Sequence, residues 1–170
     1  EGDKCPICME ILPKDSSKFL WFTCCGNGMH KHCGEDLDNM NMGHNCPLCR
    51  AKRPTSNEEV VKYLRPWEKK KKAWALSMMG QHYRDGEGVK QSYEMARILF
   101  GQAAQQGDTS AMVSLGVLYG NGSGVEKDIA KARDLWIKAE ALGNETATNY
   151  LNMLDDSERE EAPPDPNAVV

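Results

Sequence analysis

The 170 residues of this chain leave room for one ordinary domain or two small modules. With 40% hydrophobic residues and a formal net charge of −4, the composition is globular and argues against a dedicated nucleic-acid binder. No stretch of eighteen apolar residues is present, so we expect no membrane-spanning segment in this piece of chain.

All seven cysteines lie in the first 49 residues, which predicts one small cysteine-dependent module. An odd number of cysteines would leave one thiol unpaired in a disulfide framework. Seven cysteines and one histidine instead supply the eight ligands of two tetrahedral zinc ions. The segments CPIC, HKHC and CPLC share one ligand spacing, and CC supplies a fourth pair. The predicted zinc ligands are Cys5, Cys8, Cys24, Cys25, His30, Cys33, Cys46 and Cys49. Such zinc is structural and suits a reducing compartment.

The ligand set leaves two alternatives open. Neighbouring side chains diverge along the backbone, so Cys24 and Cys25 must curl back to reach one metal ion. If one of them only packs as a small apolar residue, His32 or His44 would take its place. We prefer His30 to His32 because His30 stands three residues before the next cysteine, as in the knuckles.

The order of knuckle, long loop, central Cys/His cluster, second loop and CPLCR resembles that of a RING finger over about the first 50 residues. The resemblance implies a small zinc-stabilised α+β fold in which the first and third ligand pairs share one zinc ion and the second and fourth pairs share the other. It also implies docking of a ubiquitin-conjugating enzyme charged with ubiquitin. By this resemblance Ile7, Pro47 and Leu48 form the docking surface, and Arg50 is the linchpin that clamps ubiquitin against that enzyme.

The same side chains have plain structural explanations. Ile7 would fill its knuckle, Pro47 would stiffen its turn, and Arg50 would be one more surface cation. The tryptophan that many RING fingers carry between the sixth and seventh ligands is absent; a leucine and two methionines occupy that loop. The alternative to a ligase is therefore a non-catalytic zinc-binding and helical-repeat scaffold for protein–protein interactions.

From Ala73 the sequence repeats itself with an offset of 36 residues, as GQHYRDGEGV (80–89) and GVLYGNGSGV (116–125) show. Self-similarity of this length predicts an all-α helical-repeat solenoid. The predicted helices span 73–84 and 92–106 in the first unit and 110–120 and 128–142 in the second. Asp108 and Asn144 are predicted to cap the helices that follow them. The pattern resembles the SEL-one-like repeat, a relative of the tetratricopeptide repeat, which implies a surface that binds other proteins.

The segments around the repeats have their own patterns. Ser56 and Glu59 form a capping-box pair, Pro66 is expected to begin a helix, and Lys69–Lys72 is expected to be a solvated helix face. The predicted domains are a RING-type module over 1–53, a linker and capping helix over 54–72, repeats over 73–108 and 109–144, a partial repeat or capping helix over 145–155, and a disordered acidic tail over 156–170.

The predicted function is that of a RING-type ubiquitin-protein ligase, acting without a covalent intermediate since zinc ligation consumes every cysteine. Two structural zinc ions would hold the docking platform, and unknown protein substrates would bind the repeats. We expect neither a nucleic-acid nor a membrane partner, and a cytoplasmic or nuclear location. Because the sequence begins at Glu1 without methionine, we expect a fragment that a targeting segment could precede.

Overall fold

The computed structural model of the protein describes residues 4–6, 8–12, 19–31, 33 and 45–161. Among these, the cysteine-bearing segment contains the strands β1 (Phe19–Phe22) and β2 (Asn27–His30), which pair antiparallel. Six helices follow: α1 (Asn57–Lys69), α2 (Ala73–Asp85), α3 (Tyr93–Gln105), α4 (Thr109–Asn121), α5 (Ile129–Ala141) and α6 (Glu145–Glu161). None of the described helices combines the length and the apolar character that a membrane span requires.

The repeated helix pairs occur where the 36-residue pattern predicts them. Helices α2 and α4 each end at a glycine in the left-handed conformation, with φ of 74° at Gly86 and 69° at Gly122, a region where a side chain would be strained. The two predicted caps are formed: the Asp108 carboxylate accepts a hydrogen bond from the Ala111 N–H at 2.8 Å, and the side-chain Oδ1 of Asn144 accepts one at 3.2 Å from the Ala147 N–H in the first turn of α6. The helical-repeat fold is therefore confirmed.

In each repeat, a glycine of the first helix lies directly against a large aromatic ring of the second helix, so the two helices approach closely. A Cβ placed on Gly80 would lie 2.6 Å from the ring of Phe100 in α3, and one placed on Gly116 would overlap the indole of Trp136 in α5. Phe100 and Trp136 occupy equivalent positions in the two repeats and are both buried. These close approaches explain why the small residues recur at a fixed spacing.

Two hydrophobic clusters follow one another along the array. The larger one lies among α1 to α4, and its fully buried large side chains are Leu64, Leu76, Met79, Phe100 and Leu118. The second lies among α4 to α6 around Trp136 and Leu151. Because each helix packs on its neighbours in sequence, the core is continuous but narrow, as in other stacked repeats.

Pro66 does not begin a new helix, contrary to the sequence prediction. It lies inside α1, which continues to Lys69. Proline forfeits one backbone hydrogen bond in a helix interior, and this cost is tolerated here because the next residue, Trp67, is held against the cysteine-bearing segment. The lysines of 69–72 are exposed as expected, but most of the run forms the turn after α1, with Lys71 at φ 53°, and not a helix face.

Helix α6 extends beyond residue 155, where we expected the disordered tail to begin. It runs to Glu161 because Arg133 of α5 holds it from the side. The Arg133 guanidinium donates to Asp155 at 2.6 Å and to Glu158 at 2.7 Å, so one side chain binds two carboxylates that lie three residues apart on α6. The rest of the expected tail, 162–170, lies outside the described residues.

Candidate metal centres and their junction with the repeats

The two C-x-x-C segments have the same backbone geometry. The N–H that follows the second cysteine donates to the carbonyl of the first at 2.9 Å in both cases, from Met9 to Cys5 and from Arg50 to Cys46. Met9 and Arg50 both adopt the left-handed conformation at φ 63°. A single antiparallel bridge closes each segment. This tight loop is the arrangement that turns two thiols towards one point.

The first candidate centre combines three cysteines with one histidine. The donor atoms of four residues lie within 4.8 Å of one another: those of Cys5, Cys8, His30 and Cys33. Within this group the Cys8 Sγ is 3.2 Å from the His30 Nδ1. His30 ends β2, so the strand pair delivers the ring nitrogen to the first knuckle. His32 and His44, the alternative ligands, lie outside the described residues.

The second candidate centre consists of four cysteines. Its thiols, those of Cys24, Cys25, Cys46 and Cys49, also lie within 4.8 Å of one another. The Cys25 Sγ is 3.9 Å from the Cys46 Sγ, and the Cys49 Sγ is 3.4 Å from the Cys24 Sγ.

The backbone between β1 and β2 explains how adjacent cysteines reach the same point. The N–H groups of Cys25 and Gly26 both donate to the Phe22 carbonyl, at 3.1 and 2.7 Å, and Gly26 takes φ 67°. The chain therefore curls tightly at the end of β1, which offsets the usual divergence of neighbouring side chains. The structure brings both Cys24 and Cys25 into the cluster.

Both groups have the chemistry and spacing of a four-coordinate metal site. Zinc lies about 2.3 Å from thiolate sulfur, so two sulfurs of a tetrahedral site are separated by about 3.8 Å. The sulfur separations of 3.4 and 3.9 Å are close to that value. None of the seven cysteines, all of which are among the described residues, forms a disulfide. These residues could hold a metal ion at each centre.

The surroundings of three thiols in these clusters favour the protonated form. Burial raises the pKa of Cys24 and of Cys25 above the usual value, and burial together with the neighbouring thiols raises the pKa of Cys33 to about 12. A hydrogen bond from the Ala51 N–H lowers the pKa of Cys49. Crowded thiols resist ionisation because the charges of neighbouring thiolates repel one another. A divalent cation would reverse this preference for the protonated form, since it binds thiolates.

The residues predicted to dock a partner lie around the second knuckle. Pro47 and Leu48 are half-buried and Arg50 is exposed, while Ile7 lies outside the described residues. Leu48 packs on the small apolar core of the module. Pro47 faces a cavity of about 430 Å³ that also includes Val60 of α1 and Met78 of α2 among its lining residues. The helices therefore stand directly beside this part of the module.

Three tryptophans join the cysteine-bearing module to the helices, and we call this contact the tryptophan junction. The rings of Trp21 and Trp74 are stacked, with centroids 4.5 Å apart and planes inclined by 12°. Trp67 lies 5.9 Å from Trp74, and its indole N–H donates to the Thr23 carbonyl at 2.8 Å. Trp67 and Trp74 are therefore packing residues, and no spacing in the sequence showed that Trp21 would be their partner.

The repeat region has recognisable relatives. Residues 75–108 and 109–144 match the family model described as the Sel1 repeat. They are two Sel1 repeats. The resemblance to SEL-one-like repeats is thus confirmed, and the match does not include the cysteine-bearing module. No curated protein matches the chain.

Three solved structures are similar to part of this chain. A Sel1 repeat protein from Oxalobacter formigenes is 31% identical with a TM-score of 0.53, over 55% of this chain and 38% of that one. The c5321 protective antigen of uropathogenic Escherichia coli, which has an SLR fold, is 30% identical with a TM-score of 0.57, over 60% of this chain and 22% of that one. Cysteine rich protein B (hcpB) of Helicobacter pylori is 26% identical with a TM-score of 0.52, over 55% of this chain and 71% of that one. The chain thus spans well under two thirds of the first two proteins. Its Sel1 repeats form a helical scaffold.

Proposed function

We propose that the chain is a RING-type ubiquitin-protein ligase in which two structural zinc ions hold a docking platform and the Sel1 repeats recruit the protein to be modified. One observation carries the proposal. The first and third ligand pairs meet in one cluster, and the second and fourth pairs meet in the other. This crossed pairing is what the RING resemblance implies, whereas two independent zinc fingers would pair neighbouring segments.

Zinc binding would supply most of the stability of the module. Among the described residues its apolar core contains only a few side chains, chiefly Leu12 and Met29 beside two of the ligands. A structural zinc site contributes on the order of 10 kcal/mol to folding. With four protein ligands each, the sites are closed, so their role is to fix the ligands in place and not to activate water.

Arg50 is well placed to act as the linchpin. It is exposed, directly follows a ligand of the second centre, and its backbone is anchored by the hydrogen bond to Cys46. A guanidinium offers five donors in one plane, so it can bond ubiquitin and the conjugating enzyme at once. Fixing that flexible pair accelerates attack by a substrate lysine through orientation alone. Pro47 and Leu48 would supply the apolar surface on which the conjugating enzyme rests.

A single-turnover discharge assay tests this role. Conjugating enzymes from a panel are charged with ubiquitin, and transfer to free lysine is followed with and without the full chain. Arg50→Ala should slow the stimulated discharge by about tenfold or more while zinc content stays unchanged. Lys52→Ala is the matched control, since Lys52 is an equally exposed cation two residues away. Equal discharge by the Arg50→Ala and wild-type chains would remove the linchpin assignment.

The confirmed Sel1 repeats favour a second candidate, a scaffold that binds zinc and proteins without any transferase function. The same assay separates the two. A wild-type chain that holds two zinc ions but accelerates discharge from no member of the panel would be a scaffold and not a ligase. In that case the cysteine-bearing module would serve only to cap the helical array through the tryptophan junction.

A further inference from the structure

Among the differences between the two Sel1 repeats, one changes the surface of the helical array. The first repeat has Arg84 near the end of α2, and the second has Gly120 at the equivalent place in α4. Arg84 pairs with Asp85 at 2.7 Å, and its carbonyl accepts a hydrogen bond from Gln91 at 2.8 Å. At Gly120 a Cβ would find its nearest neighbours at ordinary contact distance, 3.6 Å from Trp136 and 3.7 Å from Ala132. The glycine therefore leaves space where the first repeat has a long side chain.

That space opens into a groove of about 290 Å³ between α4, α5 and α6, which we call the α4–α6 groove. Its apolar lining includes Val117, Ile129, Trp136, Tyr150, Met153 and Leu154. Trp136 and Tyr150 are stacked, with ring centroids 5.0 Å apart, and give the groove a rigid aromatic wall. Met153, one of the lining side chains, is 67% exposed. No charged residue is among the described residues that line the groove.

The helix that forms one side of the groove has a strongly acidic end. Residues 155–161 include five acidic residues and one basic residue. Arg133 pairs with the carboxylates of Asp155 and Glu158, and Arg159 pairs with Asp156, but the five acidic residues still outnumber these two arginines. An apolar groove beside an acidic helix end is complementary to an apolar side chain flanked by cations.

We propose that the α4–α6 groove binds a peptide segment whose apolar side chain enters beside Trp136 and whose neighbouring lysine or arginine side chains lie along the acidic end of α6. A volume of about 290 Å³ is at the small end of ligand pockets, which suits one or two side chains and not a whole folded domain. The inference rests on the recruiting role proposed for the Sel1 repeats and is independent of ubiquitin transfer.

The groove can be filled without disturbing the fold. Gly120→Leu places a branched apolar side chain in the groove and changes no charge, and Gly120→Ala adds only a methyl group at ordinary contact distance. Gly120→Ala replaces a helical glycine by a better helix former and should not lower the Tm, and thermal unfolding of the Gly120→Leu chain checks that it folds. Met153→Lys is a second probe, which places a cation in the groove, and Met95→Lys on α3 is its matched control.

The probe is a displayed library of random peptides about twelve residues long, selected on the full chain, followed by fluorescence anisotropy of synthetic copies. Enriched peptides should combine an apolar residue with adjacent basic residues. Gly120→Leu and Met153→Lys should each weaken binding by about tenfold or more, while Gly120→Ala and Met95→Lys stay within about twofold. Binding should also weaken as salt is raised, because part of the attraction is between exposed charges.

Three results would overturn the proposal: no enrichment above the starting library, enrichment of acidic peptides, or unchanged binding by a folded Gly120→Leu chain. Zinc content and ubiquitin discharge measured on the same Gly120→Leu chain should match the wild type. A Gly120→Leu chain that loses only peptide binding therefore tests the groove. An Arg50→Ala chain that loses only ubiquitin discharge tests the ligase function.

Discussion

Replacing Trp67 by phenylalanine tests whether the cysteine-bearing module and the helices behave as one unit. The substitution keeps an aromatic ring near Trp74 but removes the indole N–H that donates to the Thr23 carbonyl at 2.8 Å. Thr23 is buried and directly precedes Cys24, the first residue of the second candidate centre. A change in α1 is thereby transmitted to a predicted metal ligand through one hydrogen bond.

The expected cost follows from two local losses. A buried carbonyl left without its donor costs about 1–3 kcal/mol. The smaller ring adds a part of the penalty for a large-to-small substitution, which for a half-buried side chain is about 1 kcal/mol. We therefore expect Trp67→Phe to lower the free energy of unfolding by about 2–4 kcal/mol. The cation–π contact of Lys70, whose Nζ is 4.6 Å from the Trp67 ring centroid, survives in weaker form on a phenylalanine.

Urea unfolding followed by far-UV circular dichroism, with zinc release followed in parallel by a chelating dye, gives the two readouts. Trp67→Phe should shift the unfolding transition and the release of zinc to lower urea concentration. Trp136→Phe is the control, since it removes another indole N–H bond, to the Val113 carbonyl at 3.2 Å, at the far end of the array. It should lower helical stability and leave zinc release unchanged. Wild-type zinc release from Trp67→Phe would refute the coupling through the tryptophan junction.

Two further predictions concern the helices. Gly116→Ala should destabilise the chain by about 1–3 kcal/mol, because the new methyl group overlaps the Trp136 indole; wild-type urea midpoints for this variant would contradict the close packing of α4 on α5. A hydrogen bond from the Thr55 N–H lowers the pKa of Glu59 below its ordinary value of 4.5. The ionised carboxylate therefore stabilises α1 above pH 4.5, and this stabilisation is lost as the pH falls through the lowered pKa. Glu59→Gln should remove that part of the acid dependence of α1 helicity, and an NMR titration that places Glu59 at or above 4.5 would refute the assignment.

The repeats were predictable because their signals are local and occur twice. Glycines such as Gly80 and Gly116 mark places where a ring of the next helix approaches, and the caps at Asp108 and Asn144 depend only on neighbouring residues. The spacing of the cysteines likewise predicted four ligand pairs. Their crossed grouping was implied by the RING resemblance and not by spacing, since spacing alone does not determine which pairs meet.

Features that depend on distant contacts were not predictable. A proline at 66 indicates a helix start, yet α1 continues through it because Trp67 is anchored 44 residues away in sequence at Thr23. An acidic stretch after 155 indicates disorder, yet α6 continues because a single arginine of α5 binds two of its carboxylates. In both places a tertiary contact outweighs a local preference.

The proposed ligase requires that eight side chains in the first 49 residues bind two zinc ions in crossed pairs. Native mass spectrometry of the 170-residue chain counts these ions. We expect two zinc ions per wild-type chain with no disulfide, and one ion in each of the Cys33→Ser and Cys46→Ser chains, since these residues belong to different clusters. A wild-type chain with fewer than two zinc ions, or with disulfides among these cysteines, would contradict it.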